Sequence, residues 1–172
     1  MEKEIISIML DRSLSASEEL RSFIENSNEK EKGEYVTYIQ FEFIFLFIHL
    51  TSREYLSKIG LEKRDILIDK IATMLFNTYV NVKMSTATES QKEVLRQGIF
   101  TNLNNAENQY GKCKEILSKE NPLSDSAVIP LFSKKIASIC NGKSGDENLM
   151  LIIRIISIAS SNWLEIKNLI NK

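Results

Sequence analysis

Apolar residues crowd into two runs of this chain and elsewhere recur every three or four positions, a pattern that predicts helices throughout. The denser run lies within residues 35–53, YVTYIQFEFIFLFIHLTSR, where from position 39 to position 50 only Gln40, Glu42 and His49 are polar. Apolar character on nearly every side marks a buried central helix. Its aromatic and β-branched residues would also suit a strand, but the run outlasts the roughly 4–8 residues of a buried strand. A membrane span needs about 18 or more residues with few charges, and Glu42 and His49 interrupt this run sooner. The polar stretch 26–34, NSNEKEKGE, reads as a linker turning near Gly33, and Gly60 reads as a left-handed stop. The central helix is therefore predicted over 34–59.

Residues 1–27 predict N-terminal helices. A short amphipathic one rests on Ile5, Ile6, Met9 and Leu10, and Ser15 with Glu18 has the form of a capping box that opens a second; a single kinked helix fits the same residues. Residues 61–83 begin with a charged turn and become apolar at Ile71, Leu75, Phe76, Tyr79 and Val80. Thr88 and Gln91 repeat the capping-box pattern and open a helix over 88–117, with Leu95, Ile99, Leu103, Ala106, Tyr110, Cys113 and Leu117 along one side. Gly98 inside it predicts a close helix crossing, since glycine otherwise only weakens a helix. Ser126 is placed to cap a helix over 126–141 that has Pro130 in its first turn. Asn141, Gly142 and Gly145 mark a turn, and Asp146 and Glu147 open the last helix, 146–170. That helix carries the second dense apolar run, 149–159, broken by Arg154. The pattern as a whole predicts an all-α, single-domain bundle of six to seven mostly antiparallel helices around the buried central one.

Composition narrows the classes. A chain of 172 residues is long enough to bury about 70% of its unfolded surface in one domain. Its net charge of −1, with acids and bases interspersed, leaves no electrostatic footprint for a nucleic acid. Cys113 and Cys140 lack metal-ligand or redox-motif spacing and read as free thiols. The start, MEKEIISIML, has acids where a secretory signal carries positive charge. These features lead to the expectation of a cytoplasmic protein with no membrane partner and no cofactor.

One constellation invites a chemical reading. At 100° per residue the steps from Glu42 to His49 and to Arg53 close to within about 20° of whole turns, so the three side chains share one face, which Tyr38 and Tyr35 extend toward the N-terminus. Glu42 and His49 are about 10 Å apart along the axis, whereas metal–ligand bonds are about 2 Å, so the two cannot share one metal ion. Di-iron bundles take a Glu-x-x-His pair from each of two helices; here the single histidine has Phe45 and Leu46 four and three positions before it. No metal site is expected. The stripe reads either as a buried polar ladder bonded to neighbouring helices or as the polar end of a ligand site. Because a lone buried charge is costly, Arg154 is expected to meet Glu42. The candidate binding residues are thus Glu42, His49, Arg53, Arg154, Tyr38 and Tyr110. The amide-rich side of residues 102–109 reads as a solvated face, with a polar-ligand or partner surface as the alternative.

The pattern E-F-x-F-x-F-x-H-L-x-x-R at 42–53, with E-K-R-D at 62–65 and N-x-x-x-x-x-Y-G at 104–111, resembles a group of small all-helical bacterial proteins to which no activity is attached. The resemblance implies the fold and no function. Three segments, 35–50, 71–82 and 149–158, are apolar around most of their circumference, more than a monomer of this size encloses. The excess implies an obligate homodimer or a bound protein partner, and the leading expectation is a non-enzymatic interaction protein that self-associates through an apolar helix face. An alternative is a bundle that binds a small apolar ligand among Phe41, Phe45, Tyr38 and Ile153, with Glu42, His49, Arg53 and Arg154 at its polar end. A third is an enzyme using His49 as general base beside Glu42 or Arg53.

Overall fold

Asn28 opens the helix around which the others pack. In the computed structural model, which describes residues 2–25, 27–141 and 148–172, the Asn28 side chain accepts from the Glu31 N–H at 3.0 Å. The Glu31 carboxylate accepts in return from the Asn28 N–H at 3.0 Å, a reciprocal cap that satisfies two otherwise orphaned donors. The helix, Glu29–Ile59, thus starts before the expected position 34. Gly33 lies inside it rather than at a turn, because the cap and the acids Glu29 and Glu31 favour a helix start there. Gly60, at φ +78°, ends it.

Six α-helices and no strand occur among the described residues: α1 (Glu2–Leu20), α2 (Glu29–Ile59), α3 (Leu61–Lys83), α4 (Glu89–Tyr110), α5 (Val128–Asn141) and α6 (Leu149–Ile170). The fold is an all-α single-domain bundle. α2 packs against each of the other five helices, and Ile39 and positions 43 to 50 along it are all buried. Cross-contacts give the directions. Phe41 meets Tyr79, Phe45 meets Phe76 and Ser52 meets Arg64, so α2 and α3 are antiparallel. His49 meets Glu107 and Arg53 meets Tyr110, so α4 runs with α2. Glu54 to Lys167 and Lys58 to Ile170 set α6 parallel to α2.

α1 is one unbroken helix where a break at Ser15 was expected. Its buried stripe runs Ile5, Ile6, Met9, Ser13, Ala16, Ser17, Leu20, and the Ser13 and Ser17 hydroxyls donate to carbonyls three residues back, at 2.9 Å. These small residues are buried with the apolar ones, although in sequence they look like a polar interruption. A 3-10 turn, Arg21–Phe23, follows α1.

α4 opens at Thr88 through the reciprocal bonds with Gln91 but closes at Tyr110, seven residues short of the expected 117. Beyond it the backbone of 114–116 runs beside 126–129: Lys114 N–H donates to Ser126 O at 3.0 Å, Val128 N–H to Glu115 O at 3.0 Å and Ile129 N–H to Ile116 O at 3.1 Å. The first donors of α5 are therefore satisfied by carbonyls of this segment. Ser126 was expected to cap α5, but its hydroxyl faces Ser124 at 2.8 Å and α5 begins at Val128. Gly98 is not at a crossing either, since a Cβ there would meet open space. The expected turn at Gly142 and Gly145 and the acids Asp146 and Glu147 lie outside the described residues.

Candidate functional site

The face of α2 bearing the polar stripe looks toward α4 and α5, and most of the expected residues converge there. Glu42 is 3% exposed and its Oε2 accepts from Lys135 Nζ of α5 at 2.7 Å. Tyr38, half-buried one turn earlier, has its phenol pKa pushed up by burial and then by the Glu42 carboxylate beside it. His49 is 4% exposed; its Nδ1 meets Glu107 Oε2 of α4 at 2.8 Å. With the proton on Nδ1, this bond orients the ring and leaves Nε2 as the acceptor. The imidazole lies against Tyr110, ring centroids 5.5 Å apart.

Arg53 does something other than line a site. Its guanidinium donates to the backbone carbonyls of Tyr110 and Cys113, so it caps the C-terminal end of α4. A cation there satisfies orphaned carbonyls and complements the helix dipole. These bonds tie the end of α4 and the turn after it to α2, although the apolar spacing continues to Leu117.

Tyr110 is wholly buried. Its phenol is held well above the ordinary range, first by desolvation and then by the nearby Glu42 and Tyr38. Three buried polar atoms of this cluster have no hydrogen-bond partner: His49 Nε2, Tyr110 Oη and Glu107 Oε1. The arrangement gives Glu42 and His49 each a side-chain partner from another helix, and leaves one imidazole nitrogen and one phenol oxygen without a partner on two rings in contact.

Arg154 is not part of this cluster. The expected contact with Glu42 does not form, because Arg154 lies off the buried face of α6, which is Leu151, Ile155, Ala159, Trp163, Ile166 and Ile170. Its side chain is half exposed, pairs with Glu19 of α1 at 2.7 Å and lies over the Phe23 ring at 5.5 Å. Lys135 and Glu107 were not foreseen as the partners of Glu42 and His49, though each lies one turn or less from a buried aromatic, Phe132 and Tyr110, and Glu107 stands on the polar side of 102–109. The expected apolar lining does not assemble either. Phe41 is taken up by Tyr79 at 4.5 Å, Phe45 packs on Phe76 at 6.3 Å, and Ile153 faces outward. Cys113 and Cys140 are buried free thiols; burial pushes both up, Cys140 to about 11, which keeps them protonated and inert at neutral pH.

A second feature belongs to α6. The outward face of α6 exposes Met150 (78%), Ile153 (48%) and Leu164 (57%). Between α6 and α1 runs a groove of about 280 Å³, with Arg12 and Glu19 on its α1 side and Ser157 and Ser161 on its α6 side. α6 is also the one helix among the described residues long and apolar enough to cross a membrane. No protein-family model, no curated protein and no solved structure matches the chain.

Proposed function

We propose that this protein is a helical interaction module that self-associates through the outward face of α6. The observation that carries the reading is the exposure of Met150, Ile153 and Leu164 on a helix whose other face is already in the core. Of the three segments with surplus apolar surface, α2 is enclosed by its five neighbours. α3 turns Ile71, Ala72, Leu75, Phe76 and Val80 inward. α6 is left with a clustered apolar stripe in solvent, the kind of patch that marks an interaction surface. Light scattering across a dilution series tests this: a mass above that of one chain at high concentration, lost in Ile153→Asp, supports the reading. A single-chain mass at every concentration refutes it.

A second reading is favoured by two of the three unpartnered polar atoms at the α2–α4 contact, His49 Nε2 and Tyr110 Oη. A small polar ligand accepting from Tyr110 and donating to His49 would satisfy both, since unpaired buried polar atoms cost about 1–3 kcal/mol each. Native mass spectrometry of the purified protein is the test. An adduct that is lost in Tyr110→Phe supports this reading; the bare chain mass alone removes it.

A further inference from the structure

The outward face of α6 carries its own complement. Arg154 and Glu165 lie eleven residues apart along it, within about 20° of the same edge of the helix. Each is already held by one opposite charge on α1: Glu19 takes Arg154 at 2.7 Å and Arg12 takes Glu165 at 2.6 Å. All four side chains remain 40–50% exposed, so each pair has a free side. The pairs stand at the two ends of the groove between α1 and α6, in opposite order of charge.

Resting on the self-association reading, we infer that the occupant of this face is a second copy of the chain, docked antiparallel about a two-fold axis over the Ser157 and Ser161 step of α6. A two-fold contact must be self-complementary, with residue i meeting j while j meets i. This face meets that condition along its whole length. A half turn about position 159 sets Arg154 against the partner's Glu165, Ile153 against the partner's Leu164, Met150 near the partner's Asn168, and Ser157 against the partner's Ser161. The midpoints of these four pairs all fall within half a residue of position 159. The apolar residues then flank the centre and the charges close its edge. Small serines lie where the two helix axes cross, which allows the close approach that bulky side chains would prevent.

The same half turn brings the ion pairs together in fours. Glu19 and Arg154 of one copy meet the partner's Glu165 and the partner's Arg12, with signs alternating. A parallel arrangement would instead set Arg154 beside the partner's Arg154. The patch is about 27 Å long and, over two helices, about 20 Å wide, which amounts to about 1,100 Å² in the two copies together, the low end for a specific interface. The dimer should therefore dissociate on dilution and weaken with salt.

The register is tested by cysteine cross-linking of exposed positions, with Cys113 and Cys140 silent because they are buried. An equimolar mixture of Ile153→Cys and Leu164→Cys chains is oxidised and compared with each variant alone. In the antiparallel dimer the mixture links and neither variant links to itself, because like positions are about 16 Å apart along the axis and a disulfide cannot span Cα atoms more than about 7 Å apart. Light scattering of wild type and Ile153→Asp is run beside it, with at least a ten-fold loss of association expected in the variant, as for a central interface residue. Self-linking of each variant, with no link between the two different variants in the mixture, overturns the antiparallel register while leaving self-association standing. A single-chain mass throughout overturns both. A single-chain mass with co-sedimentation on phosphatidylcholine–phosphatidylglycerol vesicles overturns both in favour of a lipid surface as the occupant.

Discussion

Lys135→Met isolates the cost of a buried charge in this bundle. The substitution keeps the aliphatic stem that crosses the α2–α5 contact and removes the ammonium that holds Glu42 at 2.7 Å. Breaking a buried pair from one side costs about 3–5 kcal/mol when both groups are fully desolvated. Glu42 meets that condition with its side chain 4% exposed, but Lys135 is 31% exposed, so water partly screens the pair. Screening brings the expected loss to about 2–3 kcal/mol. For a chain of this size about 1 kcal/mol shifts the melting temperature by about 2–4 °C, so a drop of about 4–12 °C should appear in calorimetry. Urea unfolding at neutral pH should show a lower midpoint with an unchanged slope. The double variant Glu42→Met with Lys135→Met removes the stranded charge and should recover most of the loss, a coupling that a double-mutant cycle reads directly. A Lys135→Met protein within about 0.5 kcal/mol of wild type, the range of ordinary surface changes, would refute the claim that Glu42 is held in the core by this one cation.

Arg53→Met should loosen the end of α4 and the segment after it, costing about 1–3 kcal/mol as charge-assisted bonds to carbonyls are lost. Faster amide exchange over residues 110–117 reads the effect, and unchanged exchange there would show that Arg53 does not hold this end of α4. Gly98→Ala should stabilise by about 0.5–1 kcal/mol, because its Cβ meets open space on an exposed helix position; a lower thermal midpoint would contradict that placement. Alkaline pH should destabilise the fold. Cys140 and Tyr110 both have folded pKa values raised by burial, so their contribution is complete below the unfolded values and is lost as pH rises through the folded ones. For Cys140 that window runs from 9.0 to about 11; Cys140→Ala should flatten the stability profile across it, and an equally steep decline would refute the assignment. Tyr110→Phe should be neutral or stabilising by up to about 1 kcal/mol if Tyr110 Oη has no partner, and destabilisation would support the ligand reading.

Much of the bundle is written in local pattern. The unbroken apolar run of α2, the charged-then-apolar course of α3 and the Thr88–Gln91 cap of α4 each depend on residues within one or two turns, so periodicity and capping rules reach them. The same periodicity placed Glu42, His49 and Arg53 on one face, since the angle between helix positions is a property of the chain alone. Errors came where a distant residue overrode a local signal. The apolar spacing of α4 runs on to Leu117, but the chain leaves the helix after Tyr110, where Arg53 of another helix takes the carbonyls of Tyr110 and Cys113 and the backbone of 114–116 pairs with 126–129. Ser13, Ala16 and Ser17 look like a gap in the apolar face of α1, yet tertiary packing buries all three.

The partners of the buried charges were decided only in three dimensions. Sign and cost in the sequence required that Glu42 find a cation, yet Arg154, the charge that interrupts the other apolar run, pairs with Glu19 on the surface, and Lys135 reaches Glu42 instead. Which of two apolar helices is enclosed is likewise a matter of neighbours: α2 has five, and α6 is covered on one side only. Composition specifies that a helix must bury a face; the order in which the helices pack determines which face is left in water.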